Sequence, residues 1–153
     1  MNHTVRRGEV VDAEAIGRLL HEFNSEFDEP TPGPRRLAER VGRLLADGEI
    51  TVLLAGAGPD GIAVLRFRPD IWTRALECYL AELYVVPARR GEGLGRALME
   101  ASVELARAHG AAYMDLATGD DDTAARGLYE SVGFSHRGGK SDGPVTLHYE
   151  RDL

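Results

Sequence analysis

The chain is poor in cysteine, in lysine and in long apolar runs, and each shortage excludes something. Cys78 is the single cysteine, so no internal disulfide can form, which fits a reducing compartment. The longest apolar runs, residues 51–57 and 80–87, fall well short of the roughly 18–20 residues that span a bilayer. No transmembrane helix is expected. The first residues, Met-Asn-His-Thr-Val-Arg-Arg-Gly-Glu, lack the apolar stretch and small-residue cleavage site of a signal peptide, so a cytoplasmic location is expected. Acids outnumber bases 25 to 18 and the net charge is -7, which disfavours general nucleic-acid binding, since phosphate neutralisation needs a concentrated basic face. Lys140 is the one lysine. The five histidines, His3, His21, His109, His136 and His148, show no metal-ligand spacing, and no metal site is expected.

What is present reads as one globular unit over residues 1–153. Hydrophobic residues make up 43% and charged residues 28%, close to the globular norm. Apolar periods of the helical and strand types alternate along the chain without an internal repeat. A short strand is expected at residues 3–7, then a helix capped by Asp12 whose Ala15, Ile16, Leu19, Leu20 and Phe23 recur at helical spacing and which ends near Asn24. An acidic, proline-rich loop over 25–34 follows, then a helix over 35–46 and a hairpin formed by 50–55 and 61–68. A long strand over 75–86 ends at Pro87, a helix covers 94–109, and a strand covers 113–117. A short helix at 123–131 and a closing pair of strands, 134–137 with 145–151, complete the reading. The fold class is mixed α/β.

The strongest local signal is Val86-Pro87-Ala88-Arg89-Arg90-Gly91-Glu92-Gly93-Leu94-Gly95-Arg96, a strand end and a glycine-rich turn that opens a helix. Glycines admit backbone angles closed to other residues and clear away side chains, so successive N–H groups can converge on an anion. The first helical turn adds unpaired donors and the positive end of the helix dipole. Arg89, Arg90 and Arg96 surround the turn, with Glu92 opposing them. Two phosphate loops fail here. The dinucleotide fingerprint needs a third glycine where Arg96 stands, and the triphosphate loop needs a lysine that this turn lacks. A glycine-rich turn with no ligand remains an alternative at this point.

Arg90-Gly91-Glu92-Gly93-Leu94-Gly95 resembles the Arg/Gln-x-x-Gly-x-Gly/Ala pyrophosphate loop of the GCN5-related N-acetyltransferases, the GNAT family, and follows a strand ending Leu83-Tyr84-Val85-Val86-Pro87 as in that family. Asp122-Thr123-Ala124-Ala125-Arg126-Gly127-Leu128-Tyr129-Glu130-Ser131-Val132-Gly133-Phe134 is similar to the family's Asn-x-x-Ala-x-x-Leu-Tyr-x-x-x-Gly-Phe segment. Two motifs in the right order, separated by one helix and one strand, make the resemblance specific. It implies a central mixed, mostly antiparallel sheet flanked by about four helices, with acetyl-CoA as donor in a V-shaped opening between the fourth and fifth strands. It further implies direct transfer of the acetyl group to an amine, with no metal. By the same resemblance Gly91, Glu92, Gly93, Leu94, Gly95 and Arg96 would hold the pyrophosphate. Main-chain groups of Leu83, Tyr84 and Val85 would pair with the pantetheine arm, and N–H groups near Val85 would polarise the acetyl carbonyl.

Tyr129 stands at the family's general-acid position, where its hydroxyl would serve the departing thiolate. Asp122 replaces the family's asparagine, so cofactor contact and helix capping are both open to it. The general base of many relatives is a carboxylate at the position held here by Ala81. Glu82, one residue later, would face the other side of the sheet unless a bulge re-aims it. It ranks first as base or amine ligand, with Tyr79 next as part of a water relay. Glu26, Asp28 and Glu29 could attract a small cationic amine, while Ile71 and Trp72 are candidates for an apolar acceptor wall or a dimer contact. Homodimers are common in the family, and the closing strands with the loop at 138–143 offer a contact. An acyl-CoA-binding sensor with little catalytic activity is the competing function.

Overall fold

The computed structural model describes residues 3–153. Strands β1 (Val5–Arg7), β2 (Thr51–Ala55), β3 (Gly61–Pro69), β4 (Leu76–Val85) and β5 (Ala111–Asp115) form one sheet in that spatial order. The first three neighbours pair antiparallel, and β4 with β5 pairs parallel. Helices α1 (Ala13–Glu26) and α2 (Pro34–Ala46) precede β2, α3 (Leu94–Ala108) links β4 to β5, and α4 (Thr123–Ser131) follows β5. A parallel neighbour needs a crossover, and α3 supplies it.

Strand β2 is buried along its whole length because both faces of the sheet carry helices. Successive side chains point to opposite faces. Leu53 and Ala55 therefore join Ala63, Leu65, Leu94, Leu98 and Met99 in a core against α3, while Val52 and Leu54 join Ile62, Val64, Ile16, Leu19 and Val41 in a core against α1 and α2. Among the described residues no helix is long and apolar enough to cross a membrane.

Several expectations shift. Helix α1 continues through Glu26, two residues beyond Asn24, and β5 starts at Ala111 and ends at Asp115 rather than covering 113–117. Asp12 does not cap α1 with its side chain. Its carboxylate instead takes two hydrogen bonds from Arg6 and one from the Glu9 amide, which holds it down at about 2. The closing pair of strands is absent: residues 134–137 and 145–151 carry no strand structure. Their one mutual main-chain bond runs from the Thr146 amide to the His136 carbonyl.

One close contact escapes any reading of periodicity. A Cβ on buried Gly17 would lie 2.6 Å from the Pro34 carbonyl oxygen and 2.7 Å from the Ala38 amide nitrogen, so α1 and α2 meet backbone to backbone there. Helix propensity favours alanine over glycine by about 1 kcal/mol, but overpacking costs about 1–3 kcal/mol, and backbone atoms cannot rotate aside. Gly17→Ala is expected to lose about 1–2 kcal/mol net and to lower Tm by about 2–4 °C per kcal/mol. Urea denaturation showing an unchanged or more stable variant would contradict this contact.

Candidate active site

Strands β4 and β5 pair from Leu76 with Ala111 to Tyr79 with Asp115 and then part. Beyond the parting, residues 80–85 keep β3 as a neighbour but, among the described residues, have no strand on the other side. The two strands open onto a cavity of about 270 Å3 whose walls include Glu82, Leu83, Val85, Leu116, Thr118 and Tyr129. This is the V-shaped opening that the resemblance implies, with one free strand edge along it.

At the end of that edge a 3-10 turn, Pro87–Arg89, leads into the glycine turn and α3. Gly91 and Gly93 have φ of 80° and 88°, a left-handed conformation that side-chain-bearing residues rarely adopt. Gly93 precedes α3 and contributes no side-chain cap, so the first N–H groups of the helix are left for an external acceptor. Among the described residues no atom outside the local chain lies within 4 Å of where a Gly91 Cβ would be. His3 bonds the Glu92 carbonyl on the other flank of the turn.

The arginines around this turn are neutralised by carboxylates. Arg89 reaches Asp60 at 2.7 Å and Glu92 at 3.0 Å. Arg90 reaches Glu26 at 2.8 Å, and Arg96 reaches Glu100 at 3.1 Å and the Ser131 hydroxyl at 2.9 Å. Glu92 is thus one opposing charge among several, and the uncommitted donors of the turn are main-chain N–H groups.

Glu82 reaches the cavity through a β-bulge. Leu65 of β3 stands opposite Leu80 and the next residue, Val64, stands opposite Glu82, so Ala81 has no partner. The extra residue reverses the alternation of β4. Leu80 packs on the α3 side, whereas Glu82 shares a face with Val64 and Tyr84 on the α1–α2 side. Burial raises the Glu82 carboxyl above the usual range, an effect that Arg66 partly offsets.

Tyr129 lies on α4, half-buried, with its ring edge-on to Phe134 at 6.4 Å. Burial, with a smaller contribution from Asp122, pushes its hydroxyl up to about 12. Asp122 caps α4 by accepting from the Ala125 amide at 3.1 Å, and it also borders the cavity. Tyr79 does not join this group: with Arg66, Arg68 and Thr51 it lines a separate depression of about 470 Å3. Ile71 and Trp72 stand exposed on the β3–β4 turn, where Asp70 bonds the Trp72 amide, and they do not border the cleft. Burial raises the Cys78 thiol to about 11, so it packs in the core as a neutral group and offers no nucleophile.

The aromatic wall of the cleft was not read from the sequence as part of a site. Phe23 stacks on Tyr84 at 5.0 Å and meets Phe27 edge-on at 5.5 Å, and both phenylalanines border the cavity. Glu26 ties them to the glycine turn by accepting from the Tyr84 hydroxyl at 3.2 Å and from Arg90 at 2.8 Å. Helical spacing marks Phe23, but its stacking partner lies 61 residues further along.

The sequence profile of the acetyltransferase (GNAT) family matches residues 14–134. A mycothiol acetyltransferase of Gordonia bronchialis is 35% identical over 131 residues, which is 83% of this chain and 41% of that relative. The chain therefore spans about two fifths of the length of that curated relative. A crystal structure from Arthrobacter sp. FB24, of a protein assigned as an acetyltransferase, superposes with TM-score 0.89 at 44% identity, covering 98% of this chain and 96% of its own. An aminoglycoside acetyltransferase from an uncultured soil metagenomic sample, solved with sisomicin, shares the fold at TM-score 0.79 and 16% identity, covering 99% and 96%. With the family profile matched across most of its length, this chain belongs to the GNAT family of acetyltransferases.

Proposed function

We propose that the protein is an N-acetyltransferase that moves an acetyl group from acetyl-CoA directly to the amine of a small molecule. The observation that carries this is the convergence on one cleft of a free strand edge, a glycine turn with open main-chain donors, a carboxylate of raised pKa and a half-buried tyrosine. The residues present fit the donor. The edge at 80–85 can pair with an extended pantetheine arm as an added strand, and the turn at 91–96 leaves room and donors for a pyrophosphate. Acetyl-CoA supplies an activated thioester.

The chain's own groups do the rest. An amine is mostly protonated near neutrality, and Glu82 is placed to take its proton, directly or through water. Main-chain N–H groups near Val85 would polarise the acetyl carbonyl as negative charge develops on its oxygen. With its hydroxyl at about 12, against about 8.5 for a thiol, Tyr129 stays protonated. It steadies the departing sulfur by a hydrogen bond. Asp122 holds α4, and so Tyr129, by its cap. Tyr79 stays outside this scheme. Asp28 and Glu29, directly after Phe27 of the cleft wall, favour a cationic acceptor. The mycothiol and aminoglycoside acetyltransferases it resembles are named for small-molecule acceptors. A cytoplasmic setting is part of this reading, in keeping with the reduced, buried Cys78.

Acetyl-CoA at about 100 times its Kd is expected to stabilise the protein by about 2.7 kcal/mol, a rise of several degrees in Tm. Gly93→Val should abolish that rise while keeping the circular dichroism spectrum; a folded variant that still shifts would refute the assigned cradle. Turnover in a panel of small amines is expected to increase with pH through a pKa above glutamate's usual value of about 4.3. Glu82→Gln should remove that limb and lower kcat about 100-fold or more; an unaltered pH profile would place the base elsewhere. Tyr129→Phe, by removing one hydrogen bond to a charged sulfur worth about 1.5–3 kcal/mol, should lower kcat about 10–100-fold and leave the donor Kd alone, so an unchanged kcat would strip Tyr129 of its role.

A further inference from the structure

The face of the sheet that carries Glu82 continues past the cleft. In the register of β3 and β4, Val64 stands opposite Glu82 and Arg66 stands opposite Tyr79. Arg66 therefore lies two residues along the same face of β3, a diagonal neighbour of Glu82 at a spacing of about 7–8 Å. Its charge reaches Glu82, where it opposes the effect of burial on the carboxyl. Strand β3 here outruns β2: Thr51, the first residue of β2, pairs with Leu65, and residues 66–69 have no partner in β2. The space left at the start of β2 is the depression of about 470 Å3 bordered by Glu49, Thr51, Arg66, Arg68 and Tyr79.

The two cations of this depression differ in their commitments. Arg68 contacts Glu77 at 2.5 Å and Asp115 at 3.5 Å. Arg66 is exposed and, among the described residues, forms no ion pair, although Glu49 borders the same depression. The glycine turn offers the contrast, since Arg89, Arg90 and Arg96 are each held by a carboxylate there. Tyr79, the cross-strand partner of Arg66, places a phenol beside it, which adds a hydrogen-bond donor. An uncommitted guanidinium with a hydroxyl at its side thus stands one step along the face from the proposed base.

We infer that Arg66 binds a carboxylate of the acceptor, so that the acceptor is an amino acid or a related amine carrying its own carboxylate. The inference rests on the amine transfer proposed above and adds the acceptor's class to it. A guanidinium presents parallel N–H donors that match the two oxygens of a carboxylate, and Tyr79 supplies one more donor. A phosphate dianion needs more positive charge than one uncommitted arginine provides. The amine end of the acceptor lies with Glu82 in the cleft and the anionic end with Arg66 in the depression. Asp28 and Glu29, which favour a cationic group, and Arg66, which favours an anion, then serve the two ends of one molecule.

Acetyl transfer to paired acceptors tests this, with ornithine, lysine and a series of ω-amino acids from glycine to aminohexanoate each compared with its own carboxamide. For the best carboxylate kcat/KM is expected to exceed that of its amide about 10–100-fold, with the difference in KM. Arg66→Gln should bring the ratio close to one, and Arg66→Lys should restore part of it. Loss of Arg66 also removes its field from Glu82, which alters both members of a pair alike, so the ratio isolates the carboxylate contact. A wild-type ratio near one, a ratio that Arg66→Gln leaves intact, or a stronger preference for aminoalkyl phosphates would overturn the inference. Titration calorimetry of the same pairs in the presence of coenzyme A separates it from the transfer reading. Carboxylate binding that depends on Arg66 without turnover would uphold the anion site and remove the transferase, whereas turnover indifferent to the carboxylate would do the reverse. A panel in which no carboxylate binds or reacts would also overturn the inference.

Discussion

Past Tyr79 and Asp115 the parallel strands separate, and main-chain groups of β4 face the cleft without a strand partner. Buried backbone donors and acceptors are rarely left unpaired, so the parting creates a demand as well as a space. The separation is held by packing. α3 covers one face of the sheet, and Leu116, Leu128 and Tyr129 rest on the α3 core from the β5 side. At the point of parting, one buried carboxylate oxygen of Asp115 lacks a hydrogen bond and has Arg68 as an ion contact at 3.5 Å. A sheet zipped to its end would have no site at all.

The bulge at Ala81 adds a second consequence on the same strand. Leu80 and Leu83 both pack toward α3 although three positions separate them, which a regular strand forbids and one extra residue allows. The shift lets Glu82 share the α1–α2 face with Tyr84, next to the aromatic wall of Phe23 and Phe27. In a continuous strand Ala81 would hold the position on that face, and no side chain there could accept a proton. Position and acidity therefore come from one irregularity, since the partial burial that raises the Glu82 pKa follows from the face it occupies.

What could be read in advance was local. The glycine turn, the helix it opens and the Leu128-Tyr129 segment are contiguous, and their spacing reflects short-range geometry. Helix boundaries fell within a few residues because caps and prolines act nearby. Readings that depended on distant partners fared worse. The arginines of the turn looked free because Asp60 is 29 residues from Arg89 and Glu26 is 64 from Arg90. The close approach at Gly17 leaves no mark in its own periodicity, because Pro34 and Ala38 belong to the next helix. The closing pair expected at 134–137 and 145–151 is not formed, since a strand needs a paired neighbour and sequence pattern alone does not supply one.

The relative acidities distribute the proposed chemistry unevenly. A hydroxyl held at about 12 cannot readily surrender its proton to a thiolate whose conjugate acid titrates near 8.5; the full transfer would run uphill by more than three powers of ten. In the proposed scheme Tyr129 therefore contributes a hydrogen bond to the departing sulfur, and thiolate departure needs little more. The larger obstacle lies with the acceptor, whose protonated amine has no lone pair to attack with. That puts the burden on the carboxylate at Glu82 and on whatever orients the amine beside it. The aromatic wall of Phe23, Phe27 and Tyr84 borders the same cleft, and the Tyr84 hydroxyl donates to Glu26. One carboxylate accepting from both Tyr84 and Arg90 joins the end of α1 to β4 and the glycine turn, so the two sides to which the proposed scheme assigns acceptor and phosphates are tied at one point.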